Sequence, residues 1–125
     1  MNMPGNLKEI DQEMISVLIK ANIPKNVAKV LVYLASAGEV TSMEIEHSAF
    51  LRQPEVSIAI QELRKRNWVT KRDLKKEGKG RPVHYYSLAI PFSQIIESIE
   101  AQENERVEKI HENLKKMKEL MVNYK

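Results

Sequence analysis

The chain contains no cysteine, which excludes a disulfide framework, a thiolate metal site and a thiol redox switch. Glycine is scarce, with four among 125 residues, and aromatic residues make up only 6%. No apolar run approaches the ~20 residues that a membrane-spanning helix needs. The opening MNMPGNLKEI has neither the basic nor the apolar region of a secretory signal. A cytoplasmic protein with no membrane partner is therefore expected. Catalytic signatures are also missing: there is no HExxH, no GxSxG and no metal-spaced cluster, and His47, His84 and His111 stand far apart. No enzyme activity, cofactor or metal site is expected.

What is present is charge, concentrated in one place. Residues 1–51 hold four lysines against six acids, net −2, and residues 85–125 hold six basic against seven acidic side chains, net −1. Residues 52–84 hold ten basic residues against four acids, net +6. The overall charge of +3 thus comes entirely from a 33-residue block. A basic patch of that density is the electrostatic footprint of a polyanion binder. Within it lies KKEGKGRPV at 75–83. This segment lacks the GxxxxGK[ST] frame of a nucleotide-binding loop.

Apolar periodicity supplies the architecture. Leu7, Ile10, Met14, Val17, Leu18 and Ala21 recur at three and four, predicting an amphipathic helix over 7–21. Asn22 and Pro24 interrupt, and Val27, Val30, Leu31 and Leu34 mark a second helix that Gly38 stops. Thr41 and Glu44 have capping-box spacing and open a short third helix to about Ala49. After Phe50-Leu51-Arg52, a fourth helix runs from Pro54 to about Asn67. Val56, Ala59, Ile60 and Leu63 form its core side, while Pro54, Ser57, Ile58, Gln61 and Lys65 face elsewhere.

Residues 69–74 (VTKRDL) and 83–88 (VHYYSL) read as strands of a β-hairpin with a glycine-containing tip. Trp68 is expected in the core between helix and hairpin. One of Tyr85 and Tyr86 should be core and the other partly exposed, because strand residues alternate faces.

Pro91 opens a last helix reaching to Lys125. Its first apolar group, Phe92, Ile95, Ile96 and Ile99, suits folding back over the preceding domain. Val107, Ile110, Leu114, Met117, Met121 and Tyr124 follow a seven-residue a/d pattern. The eleven-residue step between Ile96 and Val107 marks a stutter across Glu100–Arg106. The dimerisation set is Ile96, Ile99, Val107, Ile110, Leu114, Met117 and Met121. The expected domains are 1–90 and a coiled-coil helix over 91–125.

The element order fits a winged helix-turn-helix plan: a mainly α fold with a small β-hairpin wing and a long C-terminal dimerisation helix. Residues 54–67 would be the recognition helix and 75–81 the wing tip, both within the basic block.

The stretch Arg52-Gln53-Pro54-Glu55-Val56-Ser57, with Leu63 and Asn67-Trp68-Val69, resembles the recognition-helix region of ArsR- and MarR-like prokaryotic repressors. Lys79-Gly80-Arg81-Pro82-Val83-His84-Tyr85-Tyr86 resembles the wing of archaeal TrmB-like regulators. The resemblance covers roughly residues 22–100 and implies a sequence-specific DNA-binding regulator, most simply a repressor on a palindromic site. Asn67 stands where the family usually has glycine, a substitution that positive φ tolerates. The cysteines of an ArsR-type metal switch are missing.

On that reading Gln53, Ser57, Ile58 and Gln61 are the base-edge candidates, with glutamine suited to adenine and Ile58 to a thymine methyl. Arg52, Arg64, Lys65, Lys71 and Arg72 are phosphate candidates. Lys79 and Arg81 belong to the wing, with Arg81 the minor-groove probe. The expected partners are double-stranded DNA and a second copy of the chain. A winged-helix module for protein or RNA contacts remains the alternative.

Overall fold

The computed structural model describes the backbone of residues 4–75 and 82–125 and the side chains of residues 11–74 and 83–125. Its elements run α1 Pro4–Lys20, α2 Lys25–Ala37, β1 Val40–Thr41, α3 Ser42–Ala49, α4 Gln53–Lys65, β2 Val69–Lys75, β3 Pro82–Leu88 and α5 Phe92–Met121. They divide into two units, Met1–Phe92 and Ser93–Lys125.

The centre of the first unit is α2. Its stripe Val27, Val30, Leu31 and Leu34 is buried as expected, and Ala28 and Val32 on its flanks are buried too. The reason is that α1, α3 and α4 all pack against it, so a helix that reads as one-sided is covered nearly all round. The stripe on α1 is narrower. Leu18 is buried, but Val17, expected in the core, is 48% exposed. A turn of 100° per residue carries Val17 off the contact line.

Four helices end on residues with positive φ: α2 uses Gly38 (φ 83°), and the other three use residues that are not glycine. Asn22 (φ 75°) and Asn67 (φ 63°) follow α1 and α4, and each sits in the same bonding pattern. Ile23 N–H donates to Leu18 O at 3.1 Å and Trp68 N–H to Leu63 O at 3.0 Å. The asparagine N–H groups donate one turn back, to Ile19 O and Arg64 O. This double closure satisfies carbonyls that a helix end leaves open. Ile23, Leu18, Trp68 and Leu63, the residues these bonds join, are all buried. Asparagine tolerates this conformation where most residues resist it.

The third case is Phe50, at φ 56° with its ring 85% exposed. It reverses the chain after α3, Leu51 N–H bonds Glu46 O at 3.0 Å, and the Leu51 side chain is buried. Nothing in a phenylalanine announces a left-handed turn, so this reversal was not expected. The packing of Leu51 holds the strained position.

Beyond the turn, α4 begins at Gln53 and ends at Lys65, two residues short of the expected Asn67. Glu55 Oε1 accepts from the Arg52 N–H at 2.8 Å and caps its start. Val56, Ala59, Ile60 and Leu63 are buried, as their spacing predicts.

The hairpin belongs to a three-stranded antiparallel sheet in the order β1-β3-β2, with β3 in the middle. β1 went unforeseen, being two residues long, with Val40 opposite Tyr86 and Thr41 opposite Tyr85. Thr41 has a second task. Its Oγ1 accepts from Glu44 N–H at 3.2 Å and its own N–H donates to Glu44 Oε1 at 2.8 Å, the expected capping box on α3. Because a third strand covers part of β3, Tyr85 and Tyr86 are both half-buried rather than divided into one core and one exposed ring.

In α5, Ile95 and Ile99 are buried and Ile96 is half-buried. Ile99, expected in the dimer seam, is only 5% exposed in a single copy. The open apolar stripe therefore begins at Val107 and continues through Ile110, Leu114, Met117 and Met121. The fold is mainly helical with a small sheet, a winged helix-turn-helix unit followed by a long C-terminal helix. No described helix is long and apolar enough to cross a membrane.

Candidate nucleic-acid interface

The outward side of α4 and one face of the hairpin converge on a shared groove. Pleat alternation and the register Val69↔Leu88, Lys71↔Tyr86, Asp73↔His84 put these six residues on the face toward α4. Gln53, Ser57, Gln61 and Arg64 from α4 line the groove with Lys71, His84 and Tyr86 from the sheet, and Ser42 closes it at the start of α3. A second, more open groove continues from Gln61, Arg64 and Lys71 to Lys65 and Asn67. Among the described residues, no carboxylate lines either groove. Amides and hydroxyls form the middle and cations the far end. Such a surface attracts an anionic backbone while presenting groups able to read base edges.

Six candidates are thus brought together: Gln53, Ser57, Gln61, Arg64, Lys65 and Lys71. The others stand apart. Arg52 is exposed at the cap of α4. Ile58 is 67% exposed but lies on the opposite flank, in a cleft with Pro24, Lys25, Val27 and Glu55. Arg72 is on the far face of the sheet, opposite Tyr85 in register and over its ring at 5.5 Å. Its guanidinium meets Glu39 at 2.9 and 2.8 Å. Lys79 and Arg81, with the wing tip, lie outside the described residues. Arg66 is also engaged, bonding Glu62 at 2.8 Å and stacking over Trp68 at 5.1 Å, while Trp68 itself is buried as expected.

Ser42, His84 and Tyr86 were missed by sequence reasoning. The register could have found the last two, because placing Lys71 on the groove face puts its cross-strand partner there as well. One carboxylate sits close to this face. Asp73 Oδ1 lies 2.6 Å from His84 Nδ1 and 4.0 Å from Lys71 Nζ. The hydrogen bond from His84, aided by the Lys71 and Arg64 charges, holds the Asp73 carboxyl below its ordinary range. Partial burial pushes the Tyr86 phenol up, keeping it a neutral donor.

The family model described as TFIIE alpha subunit matches residues 13–119. No curated protein matches the chain. Among solved structures, a possible transcriptional regulator from Methanosarcina mazei Go1 superposes with a TM-score of 0.65 at 16% identity, covering 80% of this chain and 83% of that one. TrmBL2, an archaeal chromatin protein whose structure shows a novel mode of DNA binding, gives 0.69 at 19% identity over 90% of this chain. The present chain spans only 40% of TrmBL2. NadR in complex with 4-hydroxyphenylacetate gives 0.53 at 21% identity, over 98% of this chain and 88% of that one. At these identities the structures establish a common winged-helix fold. The family match runs from within α1 to near the end of α5, and the chain belongs to the TFIIE alpha subunit family.

Proposed function

We propose that this protein is a transcriptional regulator that binds double-stranded DNA as a homodimer. In this reading α4 enters the major groove, with the hairpin alongside on the backbone. The observation that carries the proposal is the pair of contiguous grooves lined by Gln53, Ser57, Gln61, Arg64, Lys65 and Lys71, with no carboxylate among the described residues. Gln53, Ser57 and Gln61 read base edges, and Arg64, Lys65 and Lys71 hold phosphates. Arg52, exposed at the start of α4, adds a phosphate contact. Lys79 and Arg81 extend the contact at the wing tip.

Two copies join through Val107, Ile110, Leu114, Met117 and Met121 of α5, with Ile96 at the margin of the seam. Their half-sites are separated by about 10 bp or a multiple of it. Repression follows most simply, by occupation of a palindromic promoter site. The family match to a subunit of a transcription factor favours a second reading, in which the same unit docks on protein within a transcription assembly.

A salt titration of binding to genomic DNA fragments separates the two. DNA binding predicts that log affinity falls linearly with log salt, with a slope of about −0.9 per phosphate neutralised. Weak, salt-insensitive and sequence-blind binding would favour protein docking instead.

A further inference from the structure

The groove contains one histidine, the side-chain type able to change charge within the physiological range, and among the described residues one of its ring nitrogens has no hydrogen-bond partner. His84 Nδ1 lies 2.6 Å from Asp73 Oδ1. The two residues are directly opposed across β2 and β3, so the backbone fixes their approach. With the carboxyl held ionised by this contact and by Lys71 and Arg64, the shared hydrogen belongs to Nδ1. Asp73 accepts it. Nε2 is left on the opposite side of the ring, with no hydrogen-bond partner among the described residues.

The ring lines the groove beside Gln53, Ser57 and Arg64. The charged or titratable groups around it are Asp73 and Lys71 on β2, Arg64 on α4, and the Tyr86 phenol on its own strand. In the neutral ring, Nε2 is a bare acceptor that repels a phosphate oxygen, and Lys71 and Asp73 cancel each other. After protonation Nε2 becomes a donor, and the trio of Lys71, Asp73 and His84 carries a net positive charge. Histidine makes this change between about pH 5 and 8.

We infer that His84, oriented by Asp73, is a proton-gated contact to a DNA phosphate, so that this surface grips DNA more tightly as pH falls. The inference rests on the DNA-binding reading above and adds to it a residue and a regulating signal.

The test is the salt dependence of binding to a DNA duplex at pH 7.5 and at pH 5.5, for the full chain and two variants, with thermal unfolding as the check on folding. For the native protein the slope of log affinity against log salt should steepen by about 0.9 at the lower pH, the value for one added phosphate contact. In His84→Gln the slope should be the same at both pH values. In His84→Lys, which carries its charge throughout, the steeper slope should already hold at pH 7.5 and not change. A slope change that persists in His84→Gln, or its absence in the native protein, overturns the inference. Absence of salt-dependent binding at either pH overturns the DNA reading itself.

Discussion

The Arg72 guanidinium closes on both oxygens of Glu39, Nε to Oε2 at 2.9 Å and Nη2 to Oε1 at 2.8 Å. This contact clips β2 to the segment entering β1. It also assigns opposite duties to consecutive residues, because Lys71 faces the groove and Arg72 faces away from it. Lys71→Ala should lower DNA affinity several-fold and flatten the salt slope by about 0.9. Arg72→Ala should leave the slope nearly unchanged. Fluorescence anisotropy across a salt series measures both.

The same clip predicts how the fold responds to acid. Hydrogen bonding from Arg72 holds the Glu39 carboxyl below its ordinary value of 4.5, and hydrogen bonding from His84 does the same for Asp73 relative to 3.8. Both groups bind protons less readily folded than unfolded. Their stabilising contribution is therefore complete above those ordinary values and is lost as pH falls through the lower, folded ones. Glu39→Gln should melt somewhat lower than the native protein at pH 7 and lose less melting temperature between about pH 5 and 3, so that the two converge in acid. Calorimetry at stepped pH measures this.

Base reading is tested at Gln53 and Gln61. Each well-formed bidentate contact to a base is worth about 1–3 kcal/mol of discrimination. Gln53→Ala or Gln61→Ala should relax preference at one position of the selected binding motif while leaving non-specific affinity within about twofold. Arg64→Ala should weaken binding to all sequences alike. Selection from a random DNA library reports both outcomes.

Which features the sequence disclosed follows from where their cause lies. The buried sides of α2 and α4 were visible because a helix repeats its contacts every three or four residues. The Thr41–Glu44 cap and the turn at Asn67 were visible because a side chain of the right kind stands at a fixed offset. β1 was hidden because two residues hold no period, and its pairing with Tyr85 and Tyr86 comes from residues more than forty positions away. The Phe50 reversal was hidden because its cause is the burial of Leu51. Charge alone also misplaced Arg72, since the +6 block says how much charge is present and the pleat says which way each side chain points.

The α5 stripe makes an unusual prediction about salt. With Val107 and Ile110 at the a and d positions, the flanking e and g positions are Arg106, His111, Asn113, Lys118, Leu120 and Lys125, without a carboxylate. In a homodimer these flanks set basic groups near basic groups, and salt screens that repulsion. Dimerisation should tighten as salt rises, opposite in sign to DNA binding. Leu114→Glu should leave a species of single-chain mass in sedimentation at micromolar concentration.

Asn67 closes α4 with φ 63°. Asn67→Gly should keep or slightly raise the melting temperature, because glycine adopts this conformation freely. Asn67→Val should cost about 1–3 kcal/mol, since a β-branched residue is strained there. Chemical denaturation resolves the difference.

Thr41 ends β1 and begins α3, paired in the sheet with Tyr85 while capping the helix. With only Phe50, Leu51 and Arg52 between α3 and α4, the helix pair and the sheet are joined at one residue with no slack. On the proposed interface the joint acts as a ruler, setting how far apart along a duplex the helix and the hairpin touch. Drift at Gln53, Ser57 and Gln61 can then rewrite which bases are preferred while the spacing of the footprint stays constant. Targets diversify at the exposed positions, and their geometry is inherited from the backbone.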